Sequence, residues 1–368
     1  MRLYPDLPLL EEYLIAESDN EVRDQFANAF FLHQDPKFYH KVSELIGKGA
    51  TIESAYRKSI LASLRQEEKE EFASVAFGMG LDQFHKLDEK ELTGNPYFTL
   101  LQGLKDTKRH DISFFTRFYE ANEIFLSSEQ GESDDPFGRE LLPLGYYPSR
   151  VGFPAIAKRG EVWMSLIPHE IETMKEAIGL AKGKVCTLGL GLGYYAYMVS
   201  RKEEVKEVTI VEQDRDVISL FKEHLLPRFP HKEKIHIVQG DGLAHIDREG
   251  NRYDFVFADL WHNEEDGLPL YLRLRQLEKT KTEYWIEQSI LLYLRRYVIA
   301  FLEEQREGYD QRQYKERGDF PAALFGALYD ATKEMSIQNG DELSAFLSLS
   351  SIRDLAGKLD VKITAKAN

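Results

Sequence analysis

The sequence predicts an α/β protein built on a Rossmann-like, doubly wound parallel sheet, and three observations carry that prediction. From Lys184 onward, short β-type runs alternate with helical ones: KVCTLGLG, YYAYMVSRK, EVTIVEQD, RDVISLFKEHLL, KIHIVQGD, GLAHIDRE and YDFVFADLW. Alternation at this length is the pattern of βαβ units, which assemble into a parallel sheet. The first strand runs into Gly189-Leu190-Gly191-Leu192-Gly193 and then into a helix, while an acid stands at each of the next three strand ends: Glu212, Asp241 and Asp259. Doubly wound sheets bind ligands at the carboxyl ends of their strands. These four strand ends are therefore the candidate site.

A chain of 368 residues holds two to three domains at roughly 150 residues each. With 43% hydrophobic and 12% aromatic residues it has the material for real cores, which excludes a disordered or fibrous chain. A formal charge of −15 disfavours a surface built to hold phosphate backbones, so no nucleic-acid partner is expected. One cysteine, Cys186, cannot form an intramolecular disulfide, which fits a reducing compartment. The amino terminus turns acidic within a few residues and lacks the basic segment and small-residue cleavage site of a secretory leader. No apolar run approaches the ~20 residues of a membrane span. The expectation is a soluble, cytoplasmic protein with no membrane partner and an oligomeric state left open.

Each element follows in order. Residues 7–126 carry apolar positions at helical spacing, as in Val22, Phe26, Phe30 and Phe31 and again in Phe114, Phe115, Phe118 and Ile124, so an all-helical N-terminal domain is expected over 1–130. The stretch Ser127–Asp135 is polar, acidic and followed by Pro136, the composition of an exposed linker at a domain boundary. A β-hairpin and its lead-in are expected over 137–166, turning at Lys158-Arg159-Gly160-Glu161. Pro168-His169-Glu170 opens a helix, with Pro in the first turn where its missing N–H costs nothing, and His169-Glu170 either caps that helix or reaches the site from below the hairpin. The α/β core occupies 167–266 and a helical extension 267–368, including one long helix through YWIEQSILLYLRRYVIAFLEEQ and further helices near 320–335 and 341–359. No fifth strand is visible after Trp261, so the sheet is expected to be truncated or completed by the terminal VKIT.

Within the core, Gly189, Gly191 and Gly193 let backbone N–H groups approach a ligand closely. Glycine also ends strands for structural reasons. Glu212 stands nineteen residues past Gly193, where an acid accepts from both ribose hydroxyls, and Gln213 is placed beside it. Asp241, with Gly242, sits where it can accept from an adenine amino group, or simply cap the next helix. Tyr194 and Tyr195 either wall the pocket or form the first buried turn of their helix.

These residues resemble the class I S-adenosylmethionine-dependent methyltransferases over roughly 165–262. The spermidine-synthase branch is closest in pattern, because VEQDRDVISLFKEHL followed by a GDG and a YDxxxxD run is similar there and that branch also carries a hairpin before the core. The resemblance implies S-adenosylmethionine as cofactor, its methionine part over the glycine loop, Glu212 on the ribose, and Asp241 with Gly242 by the adenine. Three departures stand out. Methyltransferases place an acid at the position of Thr187; aminopropyltransferases place an Asp at the position of Leu192 and an Asp-Ser pair where this chain has Asp259-Leu260. The last two argue against polyamine synthesis.

The catalytic candidates are Asp259, Trp261 and His262: Asp259 to position or deprotonate an acceptor, His262 as a base with a suitable pKa, and Trp261 to stack on substrate or face a sulfonium. Their structural alternatives are a strand cap, a core tryptophan and a solvated histidine. His262, Glu264, Glu265 and Asp266 lack a regular spacing on one helix face, so no metal is assigned. The segments around the site, with Tyr146, Tyr147, Trp163 and the 261–270 loop, are aromatic and acidic, which points to a small or peptide-like, cationic substrate. The alternatives carried are a non-catalytic adenosyl-ligand or interaction protein, an aminopropyltransferase, and an NAD-binding oxidoreductase. For the last, Gly191-x-Gly193-x-x-Ala196 and Glu212 fit, but a GDG is not required.

Overall fold

The computed structural model describes residues 2–3, 8–65, 69, 70, 72, 83–101, 107–129, 131, 132, 135–308 and 318–361. The chain opens with helices α1 (Pro8–Phe30), α2 (Pro36–Gly47) and α3 (Ile52–Leu61). Asp35 and Thr51 cap the second and third by accepting from the amides of Phe38 and Ser54. Phe31, Tyr56 and Phe84 pack between them. A short helix, α4 (Pro96–Leu101), follows.

The all-helical expectation for 1–130 fails beyond this point. Ile112–Tyr119 is a strand, β1, and it pairs antiparallel along its whole length with β2 (Val151–Lys158), from Ile112 opposite Lys158 to Tyr119 opposite Val151. The run ISFFTRFY has aromatics at spacings that suit a helix. It is also rich in the residues that strands favour, and Ile112 and Phe114 alternate inward. Its partner lies some forty residues on, beyond the reach of local periodicity. A boundary at 127–135 would cut this sheet. The described part of that stretch is also tied down: Gly131–Glu132 pairs with Glu140–Leu141, and Glu129 accepts from the Ser289 amide at 2.6 Å.

The expected hairpin is present. Strand β2 turns through Arg159 and Gly160, both at positive φ, into β3 (Glu161–Ser165), a two-residue loop whose twist matches the strands it joins. Helices α5 (Pro168–Thr173) and α6 (Lys175–Leu180) lead into the core. There β4 (Gly183–Leu188), α7 (Tyr194–Ser200), β5 (Val205–Glu212), α8 (Arg215–Leu220), β6 (Ile235–Gln239), α9 (Gly242–Glu249) and β7 (Phe255–Ala258) alternate as expected. After α10 (Glu264–Leu277) comes β8 (Thr282–Tyr284), then α11 (Glu287–Glu307), α12 (Phe320–Thr332), α13 (Gly340–Leu347) and α14 (Leu349–Ala356).

The sheet order is β6-β5-β4-β7-β8, all parallel. The sheet is not truncated. Its fifth strand lies inside the region expected to be one long helical stretch, pairing Val256 with Thr282 and Ala258 with Tyr284. Three residues of KTKTEY carry no apolar alternation, so only the pairing with β7 reveals them. Of the terminal VKIT, residues 362–364 lie outside the described residues. Strands β4 and β7 are buried on both faces, as central parallel strands must be, and Cys186 is buried in β4 without a disulfide partner. Among the described residues no helix is long and apolar enough to cross a membrane.

A buried ionic junction joins α1 to α11. Arg296 reaches Glu140 at 2.9 Å and Glu17 at 3.4 Å, and Arg23 reaches Glu140 at 3.4 Å. Asn20 donates to the Gly138 carbonyl and accepts from the Glu140 amide.

Candidate active site

Strand order reverses direction of winding between β4 and β7, so their carboxyl ends flank the crevice where doubly wound folds place ligands. A cavity of about 420 Å³ lies there, a size suited to a nucleotide-like molecule. Every sequence-assigned site residue except Gly193 is in its lining.

The glycine loop is built by close approach. Gly189 has φ +95°, and a Cβ there would stand 2.0 Å from the Asp259 carbonyl oxygen. Only glycine fits, and the closeness brings β4 and β7 together at the site. Gly193, also at positive φ, leaves room for the Phe221 ring, which a Cβ would meet at 2.5 Å. Gly193 thus shapes the loop without facing the cavity. Glu212 accepts from the Leu190 amide at 3.1 Å through one oxygen and from the Asp214 amide at 2.8 Å through the other. It is a buried acid, its pKa raised by burial. Asp241 is exposed and caps α9 through one oxygen, accepting from Ala244 at 2.7 Å, and Gly242 follows it, buried. Gln213 is exposed at the rim. Tyr194 is buried, its hydroxyl accepting from Asn95 at 3.1 Å.

Asp259 ends β7 and is enclosed by protein while still open to the cavity. Burial, and behind it the charge of Glu212, pushes its pKa up to about 7. A second acid in the same position is Glu170 on α5, pushed up to about 8 by burial and then by Asp259. Neither carboxyl has a hydrogen bond or ion pair among the described residues. Glu170 carries no motif signal beyond its place in a helix-opening Pro-His-Glu, which the sequence leaves either to reach the site or to cap its helix.

The other two catalytic candidates are engaged. Trp261 is buried, donates its indole N–H to the Trp285 carbonyl at 3.1 Å and packs on Gly267. His262 receives the indole N–H of Trp163 at Nε2, at 2.8 Å, so its proton sits on Nδ1, 3.0 Å from Asp266. Both ring nitrogens are thereby occupied. Lys158 lies 4.6 Å from the Trp163 ring and bonds Asp214 at 2.7 Å. The run Asp214, Lys158, Trp163, His262, Asp266 therefore spans from the β5 side to the β7 side, over the end of β4. Met164 of the same hairpin lies against Gly191.

One wall residue and one support behind the loop were missed from sequence. Trp285, next to the short β8, donates to Thr173 at 2.9 Å and pins α5 to the sheet edge. Tyr97 of α4 donates to the Leu192 carbonyl from behind the loop.

A family model described as the spermine/spermidine synthase domain matches residues 172–273, which include β4 through β7 and the glycine loop. No curated protein matches the chain. Among solved structures, spermidine synthase from Thermotoga maritima is 16% identical, covering 53% of this chain and 72% of its own, with a TM-score of 0.29. A spermidine synthase in complex with the transition-state analogue AdoDATO is 16% identical, covering 53% and 71%, also with a TM-score of 0.29. The chain is thus similar to the spermidine-synthase domain over 172–273, the region in which the motifs of the resemblance lie.

Proposed function

We propose that the cavity binds S-adenosylmethionine and transfers its methyl group to a small amine that arrives as a cation. The observation that carries this reading is the lining: four acids, Glu170, Glu212, Asp241 and Asp259, one histidine, and no lysine or arginine. Such a cavity concentrates cations. When bound, the sulfonium supplies an electrophilic carbon: the amine lone pair forms the C–N bond as the C–S pair returns to sulfur, leaving a neutral thioether.

Everything else falls to the chain. Each oxygen of Glu212 keeps a lone pair beyond its backbone bond, which suits the ribose hydroxyls, and Asp241 keeps its second oxygen for an adenine amino group. The amides of Gly191 and Leu192, both in the lining, have no protein partner among the described residues and suit the methionine carboxylate. Asp259, poised near neutral by burial, takes the proton that an ammonium must shed before its nitrogen can attack. With both nitrogens occupied, His262 serves to close the mouth together with Trp163, and Trp261 holds the turn after Asp259.

A calorimetric titration with S-adenosylmethionine, S-adenosylhomocysteine and NAD, followed by labelled methyl transfer to a panel of small amines, tests the reading. We expect saturable binding of both adenosyl ligands, no binding of NAD and label in an amine. Binding of NAD alone would overturn it. The match over 172–273 favours a second reading, aminopropyl transfer from decarboxylated S-adenosylmethionine; product from that donor and putrescine, with none from S-adenosylmethionine, would select it.

A further inference from the structure

Resting on the adenosyl-ligand reading, we propose that Glu170 anchors the α-ammonium of the cofactor, supplying from helix α5 the charge that the glycine loop and its strand lack. The two positions that would bring an acid to the cofactor's amino-acid arm are neutral here. Thr187 spends its hydroxyl on the Gly189 carbonyl at 3.2 Å, and Leu192 is buried. An ammonium placed over that loop would meet the side chains of Leu190 and Leu192, and losing water there without a partner is costly.

An anion is available elsewhere in the cavity. Glu170, Asp259 and Glu212 all line it, Glu212 at the end of β5, Asp259 just past β7 and Glu170 on α5, and the charge of Asp259 reaches Glu170. A ligand with its ribose on Glu212 has its sulfur next and its amino-acid arm beyond. Met174, also in the lining, is suited to the arm's methylenes. A carboxyl that faces a cavity without a hydrogen bond or counter-ion among the described residues is poorly stabilised as an anion in the empty protein, and its pKa is raised accordingly. A cationic ligand that ends at Glu170 relieves that cost.

The helix beneath is held firmly enough to aim the charge. Pro168 opens it at the first turn, the Thr173 hydroxyl bonds back to the His169 carbonyl at 2.9 Å, and Trp285 donates to the same hydroxyl at 2.9 Å. His169 turns toward Trp285, its pKa brought down to about 4 by burial, so it adds no positive charge near Glu170 at neutral pH.

The test compares two ligands on the full chain by calorimetry: S-adenosylhomocysteine, and 5′-methylthioadenosine, which has the same adenosine and sulfur but no amino-acid arm. Wild type should prefer S-adenosylhomocysteine by roughly tenfold or more, as a charge-assisted contact requires. Glu170→Gln should remove most of that preference while leaving methylthioadenosine affinity within about twofold, since a neutral amide keeps the shape and loses the charge. A second reading needs no variant: in wild type at pH 7, S-adenosylhomocysteine should release a proton that methylthioadenosine does not, seen as buffer-dependent heat. A preference that survives Glu170→Gln, or that disappears in Asp259→Asn instead, overturns the assignment. Failure of wild type to bind either ligand overturns the adenosyl reading beneath it, a distinct result.

Discussion

At the junction of α1 with α11 and at the carboxyl edge of the sheet, carboxylates are withdrawn from water, but only the junction supplies their counter-ions. Glu140 sits against Arg23 and Arg296, and Glu17 against Arg296, all within the protein. Among the described residues, Glu170 and Asp259 have nothing of the kind. A buried acid with its partner built in holds helices together, whereas one without a partner costs stability. On the proposed reading, a cationic ligand brings the charge that the cavity acids lack, so the pairing state of an acid would separate structural from ligand-binding carboxylates here.

The sharpest way to break that comparison is Asp259→Asn. If Asp259 takes the acceptor's proton, transfer should fall by about 10²–10⁴-fold, the range for a lost general base, while S-adenosylhomocysteine affinity shifts by less than about threefold. Equal losses in both would make it a binding residue. Next in size, Arg296→Met leaves Glu140 and Glu17 short of their shared partner and should cost about 3–5 kcal/mol in denaturant unfolding, with ligand affinity of the folded protein unchanged. Glu212→Ala should lower adenosyl-ligand affinity roughly tenfold or more, because it removes both the ribose contact and the bond that holds the Leu190 amide. If affinity barely moves, the ribose lies elsewhere.

A pH series sharpens the contrast further. Glu170 and Asp259 hold protons more tightly in the folded protein than in the unfolded chain, with folded values about 8 and about 7. The folded state then binds more protons between the unfolded values and these, so unliganded stability should fall as pH rises from about 5 to about 8. Glu17, raised to about 7 by burial against the opposing arginines, adds to the same fall. Affinity for S-adenosylmethionine should change in the opposite sense, rising as the cavity acids ionise; a flat profile would mean that they meet no cation. The smallest effect is expected for Trp163→Phe, which frees His262 and should raise the ligand off-rate a few-fold with little change in on-rate.

The parts of the site that lie on one strand end at a time were legible in the sequence. Gly189, Glu212, Asp241 and Asp259 are each marked by the strand that precedes them, and the structure brings them to one edge. What was illegible depends on pairing over distance. The run ISFFTRFY suits either period until Val151–Lys158 lies beside it, and KTEY becomes a strand only because β7 leaves an edge open. Glu170 was visible only as part of a helix opening that either capped its helix or reached the site, and no local pattern reports that a helix will be turned toward an acid ninety residues on. His262 had the right chemistry by composition, but whether a histidine nitrogen is vacant is decided by its neighbours, here Trp163 and Asp266.

The Tyr97 hydroxyl that bonds the Leu192 carbonyl has a consequence for how this protein can be taken apart. The nucleotide-binding half of such folds is often regarded as a portable cassette, complete once its strands and glycine loop are present. In this chain the loop rests on a helix contributed from before the hairpin, with Asn95 and Tyr97 as its buttress. A fragment that begins at the hairpin would keep every recognisable motif and lose the surface that sets their spacing. Excised cores should therefore hold the loop less firmly than the intact protein does, and the N-terminal region belongs to the loop's architecture as much as the motifs do.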